Sequence, residues 1–187
     1  NFTRIREKGR FDYQIIYVTK GKGFYKLNGE MVGIPEGNII VYQPGEEQYY
    51  TYYFKDSPEV YWVHFSGYGA HECLAKSGFA DRNVYYIGSS NRCVDLYKHI
   101  MYELQIKRPF HDRIASAYFL ELLSYYSRKF VEISCGNNRV KDAKMQKVIE
   151  TMHTRYDNRF SVKDLAEICN LSVYRFIHNF KALTGKS

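Results

Sequence analysis

Tyr174, Ile177, His178 and Lys181 recur at the i, i+3, i+4, i+7 spacing that puts four side chains on one face of a helix. The face carries a phenol, an apolar tip, an imidazole and an ammonium group. The first three suit base edges and thymine methyls in a major groove, whereas Lys181 suits a phosphate. Arg175 flanks the stripe as a second backbone contact, and Ser172 stands where the helix needs an N-cap. Phe176, Phe180 and Leu183 lie on the opposite side and would anchor the helix to a core. An ordinary surface helix of an all-α subdomain would also expose polar groups. An exposed isoleucine among basic residues, next to a tight turn, favours recognition of nucleic acid.

The elements that must hold this stripe are legible just upstream. Met145, Val148, Ile149, Met152 and Tyr156 form the apolar face of a supporting helix. Ser161 and Asp164 make an S-x-x-D capping box that starts the next helix. Leu165, Ala166, Ile168 and Cys169 supply its buried side, Asn170-Leu171 is the turn, and Gly185 marks the expected left-handed stop. Charge agrees with this reading. Residues 1–88 hold ten basic and ten acidic residues, so the formal net charge of +7 arises in residues 89–187, with seventeen against ten. From Asn138 onward the count is ten against five, the footprint expected of phosphate binding.

The first ninety residues read as strands. The segments 13–19, 23–27, 31–32, 38–42, 49–54, 60–65 and 84–87 are separated by Gly21-Lys-Gly23, Asn28-Gly29, Pro35-Glu-Gly37 and Pro44-Gly45. Short strands with such punctuation predict a sandwich or small barrel. Beyond Ser89 the period changes. Val94, Tyr97, Ile100, Met101 and Leu104 predict a helix that stops before Pro109. The segment 112–133 is apolar nearly all round and must be covered on two sides, one by the strands and the other by a second copy of the chain, with a larger intramolecular core as the competing expectation. Residues 134–139, with Gly136-Asn-Asn138, read as a linker.

Aromatic residues are 17% of the chain, with 19 Tyr, so pockets here are built from rings with polar tips. No apolar run reaches the length of a membrane span and no secretory signal opens the chain. The first residue is Asn1, which reads as a piece excised from a longer protein. Cys73, Cys93, Cys135 and Cys169 show no CxxC spacing, so buried free thiols in a reducing cytoplasm are the expectation. His64 and His71 form no HxH pair, and His64 reads as a core histidine, so no metal site or cofactor is expected.

The segments Asp164-Leu-Ala166, Leu171-Ser172, Phe180-Lys181 and Thr184-Gly185 resemble the first helix-turn-helix of the AraC/XylS transcription regulators. Tyr13-Gln-Ile-Ile-Tyr-Val18, Gly21-Lys-Gly23, Pro44-Gly45, Tyr50 and Trp62-Val-His-Phe-Ser-Gly67 are similar to that family's regulatory domain. The resemblance implies an α+β chain: a cupin-like ligand-binding barrel over 1–90, helical dimerisation and linker over 91–138, and a first helix-turn-helix over 139–187. It also implies a homodimer that binds promoter DNA and a small-molecule effector, a carbohydrate. Arg6, Tyr50 and Trp62 match positions where sugar-binding members hold their ligand: Arg6 would donate in a fixed fork, Tyr50 would hydrogen-bond and Trp62 would stack. Gln48 stands where relatives carry His and would hydrogen-bond the ligand. These regulators carry a second helix-turn-helix after the first, so the chain is expected to be truncated. A carbohydrate-binding module with an assembly tail, and less so a cupin enzyme, are the competing expectations.

Overall fold

The computed structural model describes residues 1–134, 145, 148, 149, 151, 152, 160–169 and 171–184. The chain divides into two compact units, Asn1–Ser134 and Cys135–Ser187. The expected linker beyond Ser134, Tyr156, Asn170, Gly185 and the side chain of Leu183 lie outside the described residues.

In the first unit the strands are β1 (Phe2–Arg6), β2 (Tyr13–Lys20), β3 (Lys22–Leu27), β4 (Glu30–Pro35), β5 (Asn38–Tyr42), β6 (Gln48–Tyr52), β7 (Glu59–Phe65) and β8 (Val84–Tyr86). They form two four-stranded antiparallel sheets, ordered β1-β6-β3-β4 and β7-β2-β5-β8. This is the predicted cupin-like barrel, flattened into two layers. The β3–β4 hairpin turns on Asn28 and Gly29, at φ 51° and 88°. A two-residue turn of matching twist needs positive φ at both central positions, which Asn and Gly adopt with least strain.

Strand periodicity explains why β2 and β5 are buried almost throughout. Ile16, Val18, Ile40 and Tyr42 point into the space between the sheets, where they meet Tyr25, Ile34 and Tyr50. Their neighbours Ile15, Tyr17, Ile39 and Val41 point the other way, into a larger core shared with helices. A strand covered on both faces reads as a continuous apolar run instead of an alternating one. Each fully buried aliphatic side chain contributes about 1.5–3 kcal/mol.

The helices of this unit are α1 (Ala70–Lys76), α2 (Asn91–Ile106) and α3 (His111–Ser134). Ser90 caps α2 by accepting from the Cys93 amide, and Lys107 ends it in the left-handed region, two residues before Pro109. The buried stripe of α2 is Cys93, Leu96, Tyr97 and Ile100. Met101 and Leu104, expected on that stripe, are exposed: Met101 lies to one side of it, and Leu104 sits beyond Ile100, the last α2 residue in the core. The inner face of α3 buries Ala115, Leu122, Leu123 and Tyr126. Tyr17 ties the sheet to the helices. Its hydroxyl donates to the Gly88 carbonyl at 3.0 Å and accepts from the Ser90 amide at 2.9 Å. Burial pushes that phenol up to about 12. No helix of the described residues is long and apolar enough to cross a membrane.

In the second unit α4 (Val162–Ile168) precedes α5 (Val173–Thr184). Ser161 Oγ accepts from the Asp164 amide at 3.2 Å while Asp164 Oδ2 accepts from the Ser161 amide at 3.0 Å, closing the capping box. Met145, Val148, Leu165, Ala166, Cys169 and Phe176 form this unit's core, with Met152, Phe160, Leu171 and Phe180 packed around it. Ile168, expected on the buried side, is 41% exposed. Leu165, Ala166 and Cys169 define the inward arc of α4, and Ile168 projects about a sixth of a turn outside it.

Candidate functional site

A slot of about 100 Å³ opens between the two sheets of the barrel. β1 is the edge of one sheet and β7 the edge of the other, and the two are not hydrogen-bonded to each other. The interlayer space is therefore open along that side. Every lining residue follows from the two-residue period of its strand. β1 supplies Phe2, Arg4 and Arg6; β2 supplies Gln14 and Ile16; β6 supplies Tyr50 and Tyr52; β7 supplies Trp62 and His64. Register aligns them across each sheet, Arg4 opposite Tyr50 and Ile16 opposite Trp62.

The floor is apolar and aromatic. Tyr50 is buried, with its ring 5.7 Å from that of Tyr52 and 5.9 Å from that of Tyr25. Tyr25 and Tyr52 share a hydroxyl–hydroxyl hydrogen bond of 3.1 Å, and burial raises both phenols. Trp62 is 58% exposed at the mouth, with its indole available to stack on a ligand.

The polar groups are less completely paired. Arg6 Nη1 donates to Gln48 Oε1 at 2.7 Å. Gln48 is fully buried behind Arg6 and its Nε2 has no partner. Gln14, itself 1% exposed, turns into the slot with an unpartnered Oε1. His64 Nδ1 stands 3.5 Å from Asp12 Oδ1 without a hydrogen bond. Burial, reinforced by Arg10, holds the imidazole below its ordinary 6.5 despite the nearby carboxylate. Asp12 is itself held low by the Arg10 guanidinium, which grips it through two bonds of 2.5 and 2.8 Å.

Of the residues singled out in the barrel sequence, Arg6, Tyr50 and Trp62 converge on the slot. Gln48 does not line it; its Oε1 accepts from Arg6, which does. His64, expected in the core, lines the slot instead. It lies on the same face of β7 as Trp62, and β7 is an edge strand, so only partial cover is available. Arg4, Gln14 and Tyr52 were not foreseen. A glutamine in step with Ile16 and Val18 on an otherwise apolar face was the available signal for Gln14.

On α5 the residues singled out lie outside. Ser172 accepts from the Arg175 amide at 3.4 Å and starts the helix. Tyr174 is 80% exposed, and Arg175, Ile177, His178 and Lys181 are exposed as well, while Phe176 is buried.

The family model of the AraC-like ligand binding domain matches residues 3–123, which include every residue of the slot except Phe2. The chain belongs to the AraC family. Among curated proteins this AraC-family chain is similar to the lactose operon transcription activator of Staphylococcus xylosus, 22% identical over 174 residues that cover 91% of the chain. The chain spans 62% of the length of that relative. Among solved structures, an apo variant of ToxT from Vibrio cholerae aligns over 97% of this chain and 89% of that one, at 12% identity and a TM-score of 0.47. A second ToxT structure covers all of this chain and 91% of that one, at 12% identity and a TM-score of 0.41.

Proposed function

We propose that the chain is a ligand-responsive, DNA-binding transcription regulator of the cytoplasm, whose barrel slot takes a small molecule of the carbohydrate class. The observation that carries this reading is the slot itself: an exposed indole, a buried phenol and a guanidinium converge on one opening, within the segment that matches the ligand-binding family. Apolar ring faces with polar edges meet the C–H faces and hydroxyls of a sugar. Ser172, Tyr174, Arg175, Ile177, His178 and Lys181 form the DNA-facing surface, and the basic excess of residues 89–187 favours phosphate. Two copies pair through the outer faces of α2 and α3. Met101, Leu104, Ile114 and Leu120 are exposed there and support such pairing. Ligand need favour one arrangement of the regulator over another by only about 1–3 kcal/mol to switch it.

The test is affinity for operator DNA, selected by the protein from a random pool and measured against salt with and without ligand. Log affinity falls with log salt by about 0.9 per phosphate contact. Lys181→Ala lowers that slope by about 1, and Tyr174→Ala or His178→Ala costs about 1–3 kcal/mol at particular base positions. Equal weakening on every sequence would contradict base reading by α5.

A further inference from the structure

We propose that the slot selects an anionic monosaccharide, with its acid group seated on Arg4 and Arg6; this rests on the slot being the ligand site. Arg4 and Arg6 project side by side from alternate positions of β1. Neither has a carboxylate partner among the described residues. The Arg4 guanidinium lies over the Phe2 ring at 5.3 Å, and Arg6 donates to the neutral Gln48. No Asp or Glu lines the slot, and Asp12, beside His64, is held by Arg10.

Two guanidinium cations without counter-ions, one exposed and one half-buried beside aromatic rings, favour an anion over a neutral hydroxyl because charge-assisted hydrogen bonds are the stronger ones. One more cation extends the same field: Lys8 lines the adjoining depression together with Arg6. At the other side of the slot the buried Oε1 of Gln14 lacks a donor, which a ligand hydroxyl supplies. The ligand thus carries an acid group at one end and hydroxyls at the other. The small volume limits it to a single ring, part of which rests on the exposed face of Trp62. Carboxylate and phosphate satisfy the same guanidinium pair, so the acid group is either of these.

The test uses matched sets of hexose, hexuronate and hexose 6-phosphate in the gluco, galacto and manno series. Binding is measured at constant ionic strength by thermal shift and titration. In at least one series an acid binds at least tenfold more tightly than its neutral hexose. Arg4→Gln removes that preference, whereas Lys76→Gln, exposed on α1 and not part of the slot, keeps it. The uronate and phosphate arms tell which acid group is used. A neutral hexose that binds as tightly as its acids overturns the anion proposal and leaves the sugar-sensor reading standing. An acid preference that survives Arg4→Gln overturns the assigned seat. No binding by any of the nine compounds overturns both readings together.

Discussion

Arg6 and Gln48 meet across the β1–β6 ladder, Nη1 to Oε1 at 2.7 Å, so that a fully buried amide fixes the aim of a guanidinium at the slot. Gln48→Met keeps much of the volume and removes the acceptor. The half-buried Arg6 head regains water, so unfolding free energy changes by less than about 1.5 kcal/mol. Ligand affinity falls by about tenfold because the fork is no longer held. Denaturant unfolding and ligand titration on the same variant separate the two effects.

Tyr17 predicts an alkaline limit to stability. Its phenol rises from 10 to about 12 because burial disfavours the phenolate. A group with a raised folded value contributes its full stability below the unfolded value and loses it as pH rises through the folded one. The unfolding midpoint therefore falls from pH 10 to pH 12. Tyr17→Phe leaves the Gly88 carbonyl and Ser90 amide without their partner and costs about 1–3 kcal/mol at neutral pH.

His64 predicts the acid side. Its folded value lies below 6.5, so its contribution is complete above that pH and is lost as pH falls through the lowered value. His64→Gln flattens the decline of the unfolding midpoint just below pH 6.5, while leaving the midpoint at pH 8 within a few degrees. A decline unchanged by the substitution would assign it to other groups.

Ser161→Ala opens the capping box at the start of α4 and costs about 1 kcal/mol. The loss is local to the second unit, so amide exchange accelerates in Leu165–Cys169 and stays constant in β2 and β5. Acceleration in both units would mean that they unfold together.

Leu120→Glu tests pairing through α3. Leu120 is 54% exposed in the single chain, so a carboxylate there leaves the monomer fold intact. Sedimentation at micromolar concentration shows a dimer for the parent and a monomer for the variant. A parent that sediments as a monomer contradicts pairing through this face.

Much of the barrel was legible because its turns are written in residues with few alternatives. Asn28-Gly29 dictated the β3–β4 hairpin, and Pro35-Glu-Gly37 separated β4 from β5. β1 escaped because Phe2-Thr-Arg-Ile-Arg6 is an edge strand with almost every side chain outside, so no buried alternation shows in its sequence. α1 escaped for a related reason: it has only seven residues and its Gly69 start offers no side-chain cap. The slot was half legible. Tyr50 and Trp62 advertise themselves by type, but Arg4 and Gln14 acquire their place only through the β1–β6 and β2–β7 registers. Gln48 stands where relatives carry His, and the sequence does not show that Arg6 stands in front of it.

Trp62 offers the most direct measurement, because it is the chain's single tryptophan and stands at the mouth of the slot. Titration with the ligand that most raises the melting temperature should shift its emission to the blue as a ring covers the indole. The same titration of Arg6→Gln should require at least tenfold more ligand. A ligand that stabilises the protein while Trp62 emission stays unchanged would place the ligand's binding site elsewhere.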